Sequence, residues 1–205
     1  DLIRYLSQID YISCRETYEK KYLEQFTDKK IEHVLDPVFL LEKKDYEKLI
    51  IKRLIKQKYI LLYLPVNDNK KLRKSAREYA RKNNLKILEI STQLKWHFGQ
   101  KNILNAGVQE FLSAIANAEI VFTNSFHAIC FSMIFNREFY VFSRKYNGKI
   151  RDICQLFDLD DRFLSDDNFK IKEKINYDLL NKKIENKISY SKKWLDAALS
   201  GEKYD

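Results

Sequence analysis

Apolar runs alternate with amphipathic segments through the middle of the chain. Residues 59–64 are apolar at nearly every position, which is typical of a strand that is covered on both faces. The residues that follow, 70–82, carry apolar side chains at helical spacing and predict an amphipathic helix. Strands and helices that alternate with short links predict a Rossmann-like α/β fold, a parallel sheet with helices on both faces. The same alternation predicts further strands at 85–90, 120–123 and 139–142, and helices at 107–118, 126–135 and 151–157.

The two ends of the chain follow other patterns. Before the alternation, the sequence predicts short strands at 11–13 and 34–35 and helices at 16–26 and 44–56. The tail from about residue 168 onwards is Lys-rich and helical in pattern, and we expect it to pack back across the domain. We therefore divide the chain into connecting elements at 1–58, a Rossmann-like domain at 59–165 and a C-terminal helical tail at 166–205.

The net charge of +9 raises the question of an anionic partner. Nucleic acid, an anionic membrane face and small anionic substrates can all attract such a chain. Basic and acidic residues are interleaved, as in the Glu-Lys-Lys-Asp run at 42–45, which favours a solvated surface over a nucleic-acid-binding stripe. No arginine-rich arm or aromatic RNA-binding signature is present, so nucleic acid is not expected as a partner. The apolar stretch at 120–142 is broken by polar and charged residues, and we do not expect it to span a membrane.

The cysteines and glycines exclude several kinds of site. Cys14, Cys130 and Cys154 are far apart and form no Cys-x-x-Cys pair, which favours a reducing compartment and three buried, unreactive thiols. The four glycines of the chain are scattered, so no glycine-rich phosphate loop can be assembled from them. No residues show metal-ligand spacing, and neither a metal nor a cofactor is expected.

The most informative segment is Thr123-Asn124-Ser125-Phe126-His127. It ends a predicted strand and begins a predicted helix, at the sheet edge where open parallel sheets bind ligands. Asn124 or Ser125 can cap the helix, whose free N–H groups attract anions, and His127 falls in the first turn. The alternative is structural: both polar residues only cap the helix, and His127 is a satisfied core histidine.

Three other segments carry candidate chemistry. Arg144, Lys145, Lys149 and Arg151 follow the strand at 139–142, and arginine forks bind carboxylate and phosphate groups, although a lysine-rich loop is also typical of a solvated surface. A further arginine, Arg15, lies where a short strand gives way to a helix. The remaining segments are Asp36-Pro37, where Asp36 can simply initiate a turn, and Trp96-His97, in a long loop that can act as a lid.

Taken in order, these segments resemble the polysaccharide pyruvyl transferase family. The resemblance spans roughly residues 9–163, and the family usually has glycine where this chain has Ala128. The motifs that carry it are Ser13-Cys14-Arg15-Glu16, Asp36-Pro37 with apolar residues after it, Thr123-Asn124-Ser125-Phe126-His127, and Arg144, Asn147 and Ile150-Arg151 after an aromatic strand.

The resemblance implies the C-terminal half of a two-domain enzyme of the glycosyltransferase-B type, with an N-terminal domain that this chain lacks. It implies phosphoenolpyruvate as donor, a glycan or lipid-linked sugar as acceptor and a pyruvate ketal as product. Residues 59–165 then form the donor-binding domain. His127 would be an acid or a phosphate ligand, and the base would lie in the absent half. Arg15, Asn124, Ser125, Arg144, Asn147 and Arg151 would bind the substrate.

The resemblance also leads to expectations about location and geometry. The enzyme would be cytoplasmic, with peripheral contact at the inner face of the membrane where a lipid-linked acceptor is used. We expect Arg15, Ser125, His127 and Arg151 to converge on one anion site with an open face, and apolar surface to be exposed near the N-terminal elements. The alternatives are a nucleotide-sugar-dependent glycosyltransferase and a non-catalytic docking domain in glycan assembly.

Overall fold

The computed structural model describes residues 1–65, 70–91, 100–142, 148–164 and 172–201. The elements in chain order are α1 (Leu2–Ser7), β1 (Ile12–Cys14), α2 (Thr17–Leu23), β2 (Ile31–His33), α3 (Lys43–Glu47), β3 (Tyr59–Tyr63), α4 (Lys70–Lys82), β4 (Lys86–Ser91), β5 (Gln100–Leu104), α5 (Val108–Ala116), β6 (Ile120–Thr123), α6 (Phe126–Ile134), β7 (Glu138–Val141), α7 (Gly148–Leu156) and α8 (Tyr177–Ser200). Short 3-10 turns at Pro37–Phe39 and Asp160–Arg162 complete the set. No helix within these ranges is both long and apolar enough to cross a membrane.

The central element is a parallel sheet with the strand order β5-β4-β3-β6-β7. The strands predicted at 59–64, 85–90, 120–123 and 139–142 are confirmed, with ends that shift by at most one residue. The edge strand β5 was not predicted. It begins with the polar residues Gln100-Lys101-Asn102, which lack the apolar pattern of a covered strand.

Helices cover both faces of this sheet, as predicted. Side chains alternate between the faces along each strand, so Tyr59 and Leu61 of β3 point to one side and Ile60 and Leu62 to the other. Tyr59 and Leu61 belong to the larger core, which includes buried residues of α5, α6, α7 and α8. Ile60 and Leu62 belong to a smaller core that is closed by Leu72, Ala76 and Ala80 of α4.

The N-terminal elements form a separate small unit. Strands β1 and β2 pair in parallel as a two-stranded sheet, with its own core of Leu6, Ile12, Cys14 and Ile31. The strand predicted at 34–35 is wrong, because the pairing with β1 lies at Ile31–His33 while Leu35 is buried in the larger core. Large apolar side chains are exposed in this unit: Leu2, Ile3, Tyr5, Ile9, Tyr18 and Tyr22.

The helix predicted at 44–56 is also wrong over most of its length. Helix α3 ends at Glu47, and Ile50 and Leu54 pack against the larger core from irregular backbone. The backbone N–H of Ile51 donates to Oγ of Ser113 on α5, at 2.9 Å, instead of to a helical carbonyl. Tertiary hydrogen bonding therefore replaces the local helix that the apolar spacing predicts.

The C-terminal helix α8 packs back across the domain. Its buried residues Leu180 and Ile184 join the larger core. Further along, Oγ of Ser191 accepts a hydrogen bond from the Leu35 N–H at 2.9 Å, and the Tyr190 hydroxyl donates to Glu32 of β2. Helix α8 therefore contacts both the sheet domain and the N-terminal unit.

Candidate functional site

The strand order reverses beside the central strand. From β3 the chain adds β4 and β5 on one side, and it then returns to add β6 and β7 on the other. At this point Oγ1 of Thr123, the last residue of β6, donates to the carbonyl of Tyr63 at the end of β3, at 2.7 Å. Open parallel sheets bind ligands in the crevice beyond the strand ends at such a reversal. The residues after Thr123 therefore lie where the topology places a ligand.

Ser125 caps the helix that follows β6. Its Oγ accepts from the Ala128 N–H at 3.4 Å, and its own N–H donates to Thr123 Oγ1 at 3.0 Å. Asn124 is buried at the junction. Of the two residues predicted as caps, Ser125 takes the role, and the N-terminus of α6 lies at the sheet edge where β6 ends.

His127 is not a core histidine. Its side chain is 51% exposed, and its ring lies edge-on to the Phe126 ring with 5.3 Å between centroids. Its Nε2 lies 3.7 Å from Oδ2 of the buried Asp36, an ion-pair distance that is longer than a hydrogen bond. The imidazole therefore has one side toward a buried carboxylate while half of its surface reaches solvent.

Asp36 connects two of the motifs. Its Oδ1 accepts from the Val38 N–H at 3.1 Å and so begins the 3-10 turn after it, as the turn interpretation predicted. Its Oδ2 also forms an ion pair with the Arg15 guanidinium and faces His127. The site prediction left Asp36 out. The sequence offered one signal for it, the Asp-Pro motif, but a role in starting a turn was enough to explain that motif.

Arg15 completes a group that we call the Arg15–Asp36–His127 cluster. The guanidinium lies over the Phe126 ring, with 5.1 Å between Cζ and the centroid, and its Nε is 3.9 Å from a Glu16 carboxylate oxygen. The hydrogen bond to Asp36 raises the pKa of Arg15, so this side chain stays cationic. Three segments that are far apart in sequence thus place a cation, a carboxylate and an imidazole together at the N-terminus of α6.

Arg151 has a different surrounding. Helix α7 begins at Gly148, so Arg151 lies inside the helix and does not open it as predicted. Its guanidinium lies over the ring of Phe163, at 5.8 Å from Cζ to the centroid. The next residue, Asp152, accepts a hydrogen bond from the Thr17 N–H at 2.7 Å. Arg15 and His127 therefore meet around Asp36, and Ser125 caps the helix that carries His127, while the ring contact of Arg151 is with Phe163. A shared anion site stays a prediction.

Some predicted residues lie outside the described part of the chain. Arg144 and Asn147, with Lys145, belong to 143–147, and Trp96-His97 belongs to 92–99. Their roles stay predictions. Among the described residues, no group of three or more His, Cys, Asp or Glu side chains could hold a metal ion.

The cysteines take no part in this site. Cys14, Cys130 and Cys154 are buried free thiols, as predicted. Burial raises the pKa of all three, and that of Cys154 reaches about 12. Since the thiolate is the nucleophilic form, these side chains are packing residues.

The fold can be compared with those of solved structures. The parallel sheet with helices around it resembles the C-terminal domain of a glycosyltransferase-B fold. Similar solved structures include the UDP-GlcNAc 2-epimerase of Methanocaldococcus jannaschii in complex with UDP-GlcNAc and UDP, with 18% identity, a TM-score of 0.52, and coverage of 87% of this chain and 54% of that chain. Another is a putative UDP-N-acetylglucosamine 2-epimerase from Listeria monocytogenes, with 10% identity, a TM-score of 0.51, and coverage of 92% and 53%. At these identities the likeness shows the fold alone, and the chain spans about half the length of each.

The family follows from the sequence. The chain belongs to the polysaccharide pyruvyl transferase family, whose model matches residues 1–146. No curated protein matches the chain in sequence. The matched range contains every member of the Arg15–Asp36–His127 cluster, whereas Arg151 lies beyond it.

Proposed function

We propose that the protein transfers a pyruvyl group from phosphoenolpyruvate to a sugar diol of a cell-surface polysaccharide or its lipid-linked precursor. The product is a pyruvate ketal. The observation that carries this proposal is the Arg15–Asp36–His127 cluster, placed at a helix N-terminus in a chain of the polysaccharide pyruvyl transferase family. A lipid-linked acceptor would bring the enzyme to the cytoplasmic face of the membrane.

The donor carries a carboxylate and a phosphate, and the site offers groups that favour both. Arg15 is cationic and partly exposed, and the N-terminus of α6 lies beside it. Asp36 already accepts a hydrogen bond from Nη1 of Arg15, so the donor would bind to the N–H groups that remain. Arg144, Asn147 and Arg151 are proposed to add contacts to the donor from the segment after β7.

The reaction needs three proton transfers, one to a carbon of the donor and one from each of the two sugar hydroxyls. A proton is added to the methylene carbon of the donor, and the adjacent carbon becomes electrophilic. A hydroxyl of the sugar attacks that carbon and gives its proton to a base, and the carbon–oxygen bond to phosphate then breaks. The second hydroxyl of the diol then attacks the same carbon, forms the second bond of the ketal and gives its proton to the released phosphate. The half-exposed imidazole of His127 is suited to deliver the first proton, and the Asp36 carboxylate lies beside it.

A second candidate is a nucleotide-sugar-dependent glycosyltransferase. The observation in its favour is the fold, which resembles an epimerase solved with UDP-GlcNAc and UDP. In that case the N-terminus of α6 would bind a diphosphate. A docking domain without catalytic activity is the remaining alternative, and it predicts that neither donor binds.

The deciding experiment is a calorimetric titration of the full-length protein with phosphoenolpyruvate and, separately, with UDP-GlcNAc. The proposal expects binding of phosphoenolpyruvate that weakens by about tenfold or more in Arg15→Ala. Phosphate release in the presence of a glycan acceptor, with the mass of a ketal on the product, would complete the assignment. Binding of UDP-GlcNAc alone would support the second candidate, and binding of neither would support the docking domain.

A further inference from the structure

The backbone around Arg15 is held from both sides by residues of other elements. On one side, Nε2 of His33 lies 3.3 Å from the Arg15 carbonyl oxygen. On the other side, the Thr17 N–H donates to Oδ2 of Asp152 at 2.7 Å. The two holding groups also face each other, with 3.9 Å between His33 Nε2 and Asp152 Oδ2. Arg15 therefore extends its side chain from a short segment whose ends are both fixed.

Asp152 provides the hydrogen-bond acceptor that the start of helix α2 otherwise lacks. Thr17 is the first residue of α2, and the residue before it, Glu16, makes no side-chain hydrogen bond as a cap. The first N–H groups of a helix need acceptors, and a carboxylate at that end also interacts favourably with the helix dipole. A helix of 7 residues is too short to be stable in isolation. The start of α2, and with it the position of Arg15, is thus set by a carboxylate from α7.

The surroundings of the two holding groups fit this role. The side chains of His33 and Asp152 are 17% and 21% exposed, so the contact is largely sheltered from water. His33 ends β2 and lies opposite Cys14 in the pairing of β1 with β2, next to Arg15. Asp152 follows Arg151 directly in α7. Its hydrogen bond to Thr17 therefore also sets how far Arg15 lies from Arg151.

We infer that Asp152, with His33, is a positioning pair that sets Arg15 for donor binding and couples it to the segment of α7 that carries Arg151. This inference rests on the proposed function, because it assigns Arg15 to the donor. Neither member of the pair needs to touch the substrate. The pair acts on donor binding through Arg15. Its effect on binding can therefore be separated from a general effect on stability.

The test compares Asp152→Ala with Asp158→Asn in the full-length protein. Asp158 lies shortly after α7 and pairs with Lys183, and its side chain is 76% exposed, so its substitution removes a carboxylate charge without touching α2. Asp152→Ala should speed amide hydrogen exchange at Thr17 by about tenfold or more, because the acceptor is lost. It should also weaken phosphoenolpyruvate binding by about tenfold, with a smaller change in kcat. Asp158→Asn should change neither quantity.

A double-mutant cycle with Arg15→Ala shows whether the effect passes through Arg15. In the Arg15→Ala background, Asp152→Ala should change the donor affinity by less than about twofold. An equal loss of affinity in both backgrounds, or unchanged exchange at Thr17, would overturn the inference. If Asp152→Ala does not fold, Asp152→Asn can replace it, because it keeps an acceptor but not the charge. It should speed exchange at Thr17 and weaken phosphoenolpyruvate binding by about threefold each. Absence of phosphoenolpyruvate binding in the unmutated protein would refute the proposed function, while the exchange experiment would still report whether Asp152 holds the backbone.

Discussion

Two strand-to-helix junctions form the site, and they are built in different ways. At the β6–α6 junction, all four residues of the strand are buried in the middle of the large sheet, and the helix is capped by its own neighbour Ser125. At the β1–α2 junction, the strand belongs to a two-stranded sheet, and the helix receives its acceptor from Asp152 on α7. The first junction is thus determined locally, whereas the second depends on contacts between distant segments. His127 comes from the local junction and Arg15 from the assembled one.

The largest expected effect is on His127. His127→Asn should lower the rate of phosphate release by about 100-fold or more, since general acid catalysis commonly contributes that much. The affinity for phosphoenolpyruvate should change by less than about threefold, because a proton donor acts mainly in the transition state. Calorimetry and a phosphate-release assay on the same sample separate the two quantities. An equal loss in both would indicate that the imidazole only holds the phosphate.

Asp36 joins the two junctions, so its removal should affect both. Asp36→Ala should lower the free energy of unfolding by about 1–3 kcal/mol, because the Val38 N–H and Arg15 lose their acceptor. Asp36→Asn keeps an oxygen for Val38 and should cost less in stability, yet it should still lower turnover through the loss of the charge beside His127. Urea unfolding and turnover, measured for both variants, test this. A fully active Asp36→Asn would contradict a role in the site.

The two helix starts allow a direct test of the comparison. Ser125→Ala should lower the free energy of unfolding by about 0.5–2 kcal/mol, the usual cost of losing a cap. Glu16→Ala, at the equivalent position before α2, should cost less than about 0.5 kcal/mol, because Glu16 makes no cap hydrogen bond. Thermal or urea unfolding of the two variants side by side is sufficient. Equal losses would mean that the junctions do not differ in the way described.

The smallest expected effect is on the pH dependence of stability, through Glu32 of β2. Burial opposes ionisation of Glu32, yet hydrogen bonds from Tyr190 and Lys30 outweigh it, and the pKa of Glu32 is lower than its ordinary value of 4.5. A lowered pKa means that this contact stabilises the fold above pH 4.5 and that the stabilisation is lost as the pH falls through the lower, folded-state value. Unfolding measured against pH should therefore show a weaker acid dependence in Glu32→Gln than in the unmutated protein. If the free energy of unfolding of both proteins falls equally at low pH, Glu32 does not link α8 to β2 in this way.

Much of the sheet domain could be predicted from the sequence. The strands at the centre are covered on both faces, so their apolar runs are a strong local signal, and α6 begins at Phe126 as its pattern predicts. The edge strand β5 gave no such signal, because its first residues are polar. The helix predicted at 44–56 failed for the opposite reason: its apolar spacing serves packing of irregular backbone against the core.

The amino-acid sequence by itself determined the parallel sheet, the capped junction that carries Ser125 and His127, and the resemblance to the family, because each depends on residues adjacent in the chain. Only the tertiary structure decided that Asp36 faces both Arg15 and His127, that Asp152 receives the Thr17 N–H, and that Arg151 packs on Phe163. These contacts join segments that are remote in sequence. Their partners are chosen by how the two sheets and α7 pack together, and no local pattern records that choice.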